Sequence, residues 1–178
     1  MARREPLPVD PIAEARRQWI AHGWEDAADG MAAVTSIMRA HQLMLARVDA
    51  ALKPFRLSFA RYEMLRLLAF TRDGHLPMSS ATARLQVHPA SVTSTVDRLE
   101  RDGLALRAPH PHDGRATILV LTDAGRSIVE EATESLNTEV FADPGIDEAN
   151  VSALVHAVAR LRQGAGDFAE PRVMPEPL

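Results

Sequence analysis

The sequence predicts a mainly α-helical protein whose centre is a helix-turn-helix followed directly by a β-hairpin wing. Apolar residues recur at three- and four-residue steps over most of the chain, which is the spacing of amphipathic helices. Two short helical stretches meet at the link QVHP, residues 86–89. The β-branched run ATILVL, residues 116–121, follows a polar turn and is typical of a strand. Two short helices and a hairpin in this order indicate a winged helix-turn-helix.

Two helices are expected before this centre. Pro11 suits the first turn of a short helix over residues 12–22. Gly30 then separates this helix from a longer one over residues 31–53. The longer helix has one apolar stripe, interrupted by a histidine: Val34, Ile37, Met38, His41, Leu45, Val48 and Leu52.

Three helices are expected between the long helix and the hairpin. Ser58 can cap the first, and residues 71–76 follow that helix as a turn or a short strand. The second helix starts at Ser79 or Ser80. The third covers residues 89–102 and is stopped by the glycine that follows.

The hairpin and two further helices complete the chain. Strands are expected over residues 104–109 and 116–121, with a polar tip between them. Thr122 caps a helix over residues 124–141, and Asp147 starts a last helix. The apolar residues of that last helix lie on one face: Val151, Leu154, Val155, Val158 and Leu161.

Composition indicates a globular domain of ordinary size, with 178 residues of which 46% are apolar and 25% charged. The absence of cysteine excludes disulfides, thiolate metal sites and cysteine nucleophiles, and it fits a reducing compartment. No apolar run approaches the ~20 residues that cross a bilayer. The N-terminal sequence MARREPLP lacks the apolar core of a signal peptide. We therefore expect a cytoplasmic protein with no membrane partner.

Charge is unevenly distributed along the chain. The net charge is -4, but residues 31–127 contain 13 Arg or Lys and 8 Asp or Glu. Residues 128–178 contain 3 basic and 10 acidic residues. A basic centre between acidic ends is compatible with binding of an anion, including nucleic acid.

The helix at residues 89–102 carries the pattern of a DNA-reading helix. Val92, Val96 and Leu99 share one face, which we expect to pack inward. Small hydroxyl side chains and an arginine on the remaining surface suit a major groove, where they reach base edges, thymine methyls and phosphates. The alternative is a surface helix with Ser and Thr as fillers. The candidate DNA-binding residues of the two short helices are Ser79, Ser80, Pro89, Ser91, Thr93, Ser94, Thr95 and Arg98.

The hairpin tip supplies a second set of candidate DNA contacts. Arg115 is expected to enter a minor groove or hold a phosphate, with Asp113 positioning it and with His110 and His112 as further donors. One alternative is a loop whose charges are only solvated. Another is a zinc site at His110, His112 and Asp113, although a metal there would compete with DNA contacts.

The centre of the chain resembles the MarR family of winged-helix regulators in three stretches: LSFARYEMLRLLAF, LQVHPASVTSTVDRLERDGL and PHDGRATILVLTDAGR. The resemblance covers roughly residues 31–163, and its most specific part is Asp113 and Arg115 followed by Leu121-Thr122 and Gly125. It implies a homodimer with recognition helices in successive major grooves of a pseudo-palindrome and wing arginines in the flanking minor grooves. The implied division is an N-terminal extension at 1–30, dimerisation helices at 31–53, 124–141 and 147–163, a winged helix-turn-helix at 57–122, and a flexible tail at 164–178.

The N-terminal extension resembles that of the urate-responsive subgroup of this family. Trp19, Glu63 and Arg107 match positions of the subgroup's ligand site, but Thr95 stands where the subgroup has an arginine. The resemblance therefore implies a smaller or less anionic aromatic effector than urate. His41, which interrupts the apolar stripe of the long helix, is a further candidate contact. The alternative for Trp19 is an anchor that packs the extra helix.

These observations predict a sequence-specific DNA-binding transcriptional regulator, most simply a ligand-responsive repressor. The partners would be double-stranded DNA, a second copy of the chain and a small aromatic or anionic effector, with no cofactor. An enzyme is disfavoured because no phosphate-binding glycine loop, GxSxG or HExxH motif is present. A metal-responsive regulator, and a winged helix that binds protein instead of DNA, remain alternatives.

Overall fold

The computed structural model describes residues 7–85, 89–110 and 113–168, apart from the side chains of residues 89 and 113–115. The described chain forms seven α-helices and a three-stranded sheet. It divides into two units, Met1–Val48 and Asp49–Leu178. The helices are α1 Pro11–Ala21, α2 Glu25–Leu52, α3 Phe59–Phe70, α4 Met78–Leu85, α5 Pro89–Arg101, α6 Asp123–Leu136 and α7 Glu148–Gly164. The strands are β1 His75–Pro77, β2 Ala105–His110 and β3 Asp113–Leu121.

The first unit contains α1 and most of α2. Asp10 caps α1, since its side chain accepts a hydrogen bond from the Ile12 amide at 2.9 Å. The prediction that Gly30 separates two helices was wrong, because α2 begins at Glu25 and runs through Gly30 without a break. Acidic residues in the first turn of α2 stabilise its N-terminus, and the alanine-rich stretch around Gly30 favours the helix strongly enough to include one glycine.

The core of the second unit lies between the sheet and helices α3, α5 and α6. The strand order is β1-β3-β2, with antiparallel pairing throughout. Polar groups also join α3 to α6, because Arg66 donates hydrogen bonds to the Thr133 hydroxyl at 2.6 Å and to the Val129 carbonyl at 3.0 Å. Large side chains with under 2% exposure fill this core: Met64, Leu65, Leu68, Val92, Val96, Leu99, Leu119, Val129 and Leu136.

Several predicted boundaries are confirmed. Ser58, Thr122 and Asp147 each accept a backbone hydrogen bond as the N-cap of a helix. The helix predicted to reach residue 141 does so, although its last turn, Asn137–Phe141, is π-helical. A short strand, β1, follows the turn after α3.

Two boundaries differ from the predictions. Helix α4 begins at Met78, one or two residues before the predicted start at Ser79 or Ser80, which therefore lie in its first turn. Both hairpin strands run further into the tip than predicted, since β2 ends at His110 and β3 begins at Asp113. The backbone pairs His110 with Asp113, so the ladder extends into residues whose polar composition indicated a turn. The predicted flexible tail falls mostly on residues 169–178, which lie outside the described residues.

Two helices carry apolar side chains that remain exposed. Val34, Ile37 and Met38 of α2 are exposed, as are Leu154, Val155 and Leu161 of α7. The stripe predicted along α2 is therefore exposed over its first part but buried at its end, where Val48 is 8% exposed and Leu52 is fully buried. Among the described residues, no helix is both long enough and apolar enough to cross a membrane.

Gly125 allows the first turn of α6 to pack directly on the start of the wing. A Cβ atom there would lie 2.0 Å from the Leu104 carbonyl oxygen and 2.9 Å from Cδ1 of Leu121. The Gly125 amide is also the donor that Thr122 caps, at 2.9 Å. No side chain fits at this position without displacing backbone, so glycine is required by space.

Gly125→Ala is expected to lower the free energy of unfolding by about 1–3 kcal/mol, because overpacking against a backbone oxygen forces α6 away from the wing. The matched control is Gly30→Ala, since nothing lies within 4 Å of a Cβ at that position of α2. That substitution is expected to stabilise by roughly 0.5–1 kcal/mol through helix propensity. Urea unfolding followed by circular dichroism measures both, and equal effects of the two alanines would contradict the close packing at Gly125.

Candidate nucleic-acid interface

Helix α5 has a buried apolar face and an exposed polar face. Val92 is 1% exposed, and Val96 and Leu99 are fully buried, which confirms the predicted inward face. The predicted readers Ser91, Thr93, Ser94 and Arg98 are exposed, whereas Thr95 is half-buried. The helix ends at Arg101, and Gly103 just beyond it has a φ of 71°, which lets the Leu104 amide donate to the Leu99 carbonyl at 2.9 Å. The chain thus turns from α5 into the wing within a few residues.

The remaining candidates of the two short helices are placed as follows. Ser79 is exposed on the first turn of α4, while Ser80 is half-buried. Pro89 is the first residue of α5, as its fixed φ favours, and its side chain is not described. Residues 86–88 of the link lie outside the described residues.

The wing is a two-stranded ribbon with an irregularity close to its tip. The pairing register shifts between Pro109 and His110. His110 is half-buried, and His112 lies outside the described residues. Asp113 and Arg115 belong to β3 by their backbone, and their side chains are not described. The proposed positioning of Arg115 by Asp113 therefore stays a prediction.

Arg107 joins the wing to α5. Its guanidinium forms ion pairs with Asp97, at 2.7 Å, and with Glu100 of that helix. Its backbone amide donates to the Glu100 carboxylate at 2.8 Å. The Arg107 side chain is 28% exposed, so these contacts are partly shielded from water. Sequence reasoning placed Arg107 in a ligand site and missed both carboxylates, which are three residues apart on α5 and share one face.

A cleft of about 450 Å³ lies between α4, α5 and the wing. We call it the wing cleft, and its lining residues are Pro77, Met78, Ser79, Thr93, Arg107, Ala116 and Thr117. It brings together Ser79 and Thr93, which the sequence assigned to DNA, with Arg107, which it assigned to an effector. A molecule in this cleft would touch both α5 and the wing.

The other predicted ligand contacts are divided between the two units. Trp19 on α1 packs edge-on against Trp24, with 5.5 Å between ring centroids. His41 lies exposed on α2. Glu63, half-buried on α3, has no hydrogen bond or ion pair to Arg107 in the described part of the chain. Burial raises the pKa of the Glu63 carboxyl above its ordinary value of 4.5.

Within the described ranges, no three His, Cys, Asp or Glu side chains lie together as metal ligands would. The predicted zinc alternative includes His112, which is outside those ranges, and the side chain of Asp113.

Comparison with known proteins gives consistent matches to one family. The model described as MarR family matches residues 57–116. Sco5413, a MarR family transcriptional regulator from Streptomyces coelicolor, is 48% identical, with 80% of this chain and 99% of that chain covered and a TM-score of 0.70. The HTH-type transcriptional repressor IacR of Pseudomonas putida is 28% identical over 120 residues, which are 66% of this chain and 70% of that protein.

A further solved structure, a mutant MarR from E. coli complexed with operator DNA, has a TM-score of 0.64 at 20% identity, with 71% of this chain and 91% of that chain covered. At this identity the likeness concerns the fold. Sco5413 is 48% identical over nearly its whole length, and it is a MarR family transcriptional regulator. The chain belongs to the MarR family of winged-helix transcriptional regulators.

Proposed function

We propose that this chain is a sequence-specific DNA-binding regulator that acts as a ligand-responsive repressor and binds a pseudo-palindromic operator as a homodimer. The observation that carries the proposal is the face of α5 with Ser91, Thr93, Ser94 and Arg98 exposed beside a two-stranded wing. The names of the relatives support it, since IacR is a repressor and the E. coli MarR structure contains operator DNA.

The chemistry of α5 suits direct readout in a major groove. Ser94 and Arg98 are four residues apart and lie on the same side of the helix. The short serine hydroxyl lets the helix backbone approach closely and can donate or accept at a base edge. The Arg98 guanidinium can bind guanine in a bidentate manner or hold a phosphate. Arg107 fixes the direction of the wing relative to this face through Asp97 and Glu100.

The wing would supply contacts that are less dependent on sequence. Arg115 near its tip is expected in a minor groove or on a phosphate, with Asp113 as its positioning partner. His110 and His112 would add donors to the backbone. Such contacts raise affinity for every sequence and make binding sensitive to salt.

The homodimer would form through the exposed apolar faces of α2 and α7. Val155 and Leu161 of α7 are 63% and 59% exposed, and Met38 of α2 is 62% exposed. Removing such side chains from water stabilises an assembly by about 25 cal/mol per Å² of apolar surface. A second copy presents the same faces, as a two-fold symmetric interface requires.

An effector would be a small aromatic or anionic molecule, with Trp19, His41, Glu63 and Arg107 as candidate contacts. The position of the wing cleft supports this part, because Thr93 of α5 and Arg107 of β2 both line it. The family match begins at residue 57, so the likeness of residues 1–30 to the urate-responsive subgroup stays a prediction. Release of bound DNA by aromatic acids, weakened in Trp19→Phe, would support the effector, and no release by a broad panel would contradict it.

DNA selection followed by fluorescence anisotropy tests the readout. Ser94→Ala is expected to change base preference at a few positions, by about 1–3 kcal/mol each, because it removes a base-edge contact. Arg115→Ala is expected to weaken binding to all sequences and to lower the salt slope by roughly 1, because it removes a contact to backbone or minor groove. The control is Arg72→Gln, which removes an exposed arginine away from the wing tip. Arg72 precedes β1, and β1 pairs with the end of β3 that is distant from the tip.

An unchanged selected sequence for Ser94→Ala and Arg98→Ala alike would remove α5 from the groove. An unchanged DNA affinity of Arg115→Ala across several salt concentrations would show that the wing arginine does not contact DNA. No binding of the wild-type chain to its own upstream DNA or to any selected duplex would contradict the proposed function itself.

The dimer can be tested with charges on the apolar face of α7. The double substitution Val155→Glu and Leu161→Glu is expected to give monomers in sedimentation velocity, because two carboxylates cannot be buried without partners. Both side chains are exposed in the single chain, so the fold is expected to survive. His156→Glu is the control, as it lies on the opposite side of α7 at about 100° per residue. Dimers of unchanged stability in the double variant would contradict this interface.

The raised pKa of Glu63 gives stability a specific dependence on pH. The folded chain binds more protons at this carboxyl than the unfolded chain does between the ordinary pKa of 4.5 and the raised one, so stability falls as pH rises through that window. Glu63→Gln is therefore expected to stabilise the protein at pH 7 and to lose this advantage near pH 4. Urea unfolding at both values measures it, with the exposed Glu130→Gln as control. The same difference at both pH values would show that Glu63 is not desolvated.

A further inference from the structure

A second cleft, of about 500 Å³, lies at the start of α3. We call it the α3 cleft, and its lining residues are Asp49, Lys53, Arg56, Leu57, Ser58, Arg61 and Arg98. All of them belong to the second unit, so one compact body forms the cleft. Four of the seven residues are basic and one is acidic, although the whole chain has a net charge of -4.

The cations of the α3 cleft are largely uncompensated. Lys53, Arg56 and Arg98 are exposed, and none of them forms an ion pair with another described residue. Arg61 is the exception, because its guanidinium is paired with Asp102. Like charges gathered in one cleft repel each other unless an anion lies between them. The cleft therefore has the charge of an anion site.

The loop that carries Lys53 and Arg56 is held by hydrogen bonds within the chain. Arg56 adopts a left-handed conformation, with φ 54° and ψ 30°, which few residues other than glycine take. Two hydrogen bonds support this conformation. The Arg56 amide donates to the Lys53 carbonyl at 3.1 Å, and Nη1 of Arg61 donates to the Arg56 carbonyl at 2.9 Å. The Ser58 hydroxyl caps α3 beside it. A rigid loop loses little conformational entropy when it binds.

We propose that the α3 cleft binds a phosphate group, with Lys53, Arg56 and Arg98 as the charges that hold it. This proposal rests on the proposed function for its favoured source, the phosphate backbone of operator DNA beside the segment that α5 reads. Arg98 lines the α3 cleft, and Thr93 lines the wing cleft on another side of α5. Thr93 and Arg98 are five positions apart, which is about 140° around a helix.

The recognition helix therefore lies between two clefts, one beside the wing and one at the loop before α3. A helix in a major groove has a phosphate backbone on each side of it. The wing would contact the phosphate backbone on one side of α5, and the α3 cleft would contact the backbone on the other side. Each phosphate neutralised by the protein releases counterions, so the cleft adds affinity without adding sequence preference.

The experiment combines Lys53→Gln with Arg56→Asn and leaves Arg98 intact. Asparagine is chosen because it tolerates the left-handed conformation, so the loop is expected to keep its shape. Arg72→Gln is the matched control for loss of an exposed cation outside the cleft. Far-ultraviolet circular dichroism and thermal unfolding establish that all variants fold.

In the first arm, affinity for operator and for random duplex is measured across salt concentrations. The double variant is expected to bind both more weakly and to have a slope of log affinity against log salt that is lower by roughly 1–2, at about 0.9 for each phosphate that the protein no longer neutralises. Its selected base sequence is expected to match that of the wild type. Arg72→Gln is expected to keep the wild-type slope.

In the second arm, thermal unfolding of the DNA-free protein is compared in inorganic phosphate and in chloride at equal ionic strength. A stabilisation by phosphate that the double variant loses, with an unchanged DNA slope, assigns the site to a free phosphate compound. An altered slope assigns it to the DNA backbone. If neither the slope nor the phosphate effect differs between wild type and double variant, the proposal is overturned. Failure of the wild type to bind DNA would overturn the proposed function, while the second arm would still test the cleft.

Discussion

The arrangement of α5 and the wing depends on Arg107, which joins β2 to α5 through ion pairs. Asp97 and Glu100 lie on one side of the helix and would repel each other without a cation between them. Arg107 supplies that cation, and its backbone amide adds a further hydrogen bond to Glu100. The contact fixes the direction of the wing at the point where the chain has just left α5. The contact therefore joins α5 to the wing, and a ligand in the wing cleft would lie beside it, because Arg107 lines that cleft.

Local signals in the sequence predicted the parts of this arrangement that depend on neighbouring residues. The spacing of Val92, Val96 and Leu99 predicted which face of α5 is buried. Thr93 and Ser94 lie off that face and are exposed, whereas Thr95 is half-buried. Ser58, Thr122 and Asp147 were recognisable as caps because an N-cap needs a short oxygen-bearing side chain at one position. These predictions needed no knowledge of distant contacts.

The parts that the sequence could not predict depend on residues far apart in the chain or on competing local preferences. Lys53 and Arg98 meet in one cleft because α3 packs against α5, and no spacing rule records that. The ion pairs of Arg107 were missed for the same reason. Gly30 was misread because glycine is common both as a helix stop and as a tolerated interior residue, at a cost of about 0.5–1 kcal/mol. Only the helix propensity of the surrounding residues decides between the two.

Charge placement explains how a protein with a net charge of -4 can bind a polyanion. A surface of mixed charge attracts DNA weakly over long distances, so affinity has to come from cations concentrated where phosphates lie. Of the 20 basic residues, 19 are arginines, and the single lysine, Lys53, lines the α3 cleft. Arginine is suited to fixed bidentate geometry, whereas the lysine ammonium is a compact point charge on a flexible stem. In the proposed site, a lysine beside Arg56 and Arg98 would adjust to a phosphate whose position varies with DNA sequence. Under the two proposals, contacts on the two flanks of α5 would add affinity at any DNA sequence, and the exposed side chains of α5, Ser94 among them, would discriminate between bases.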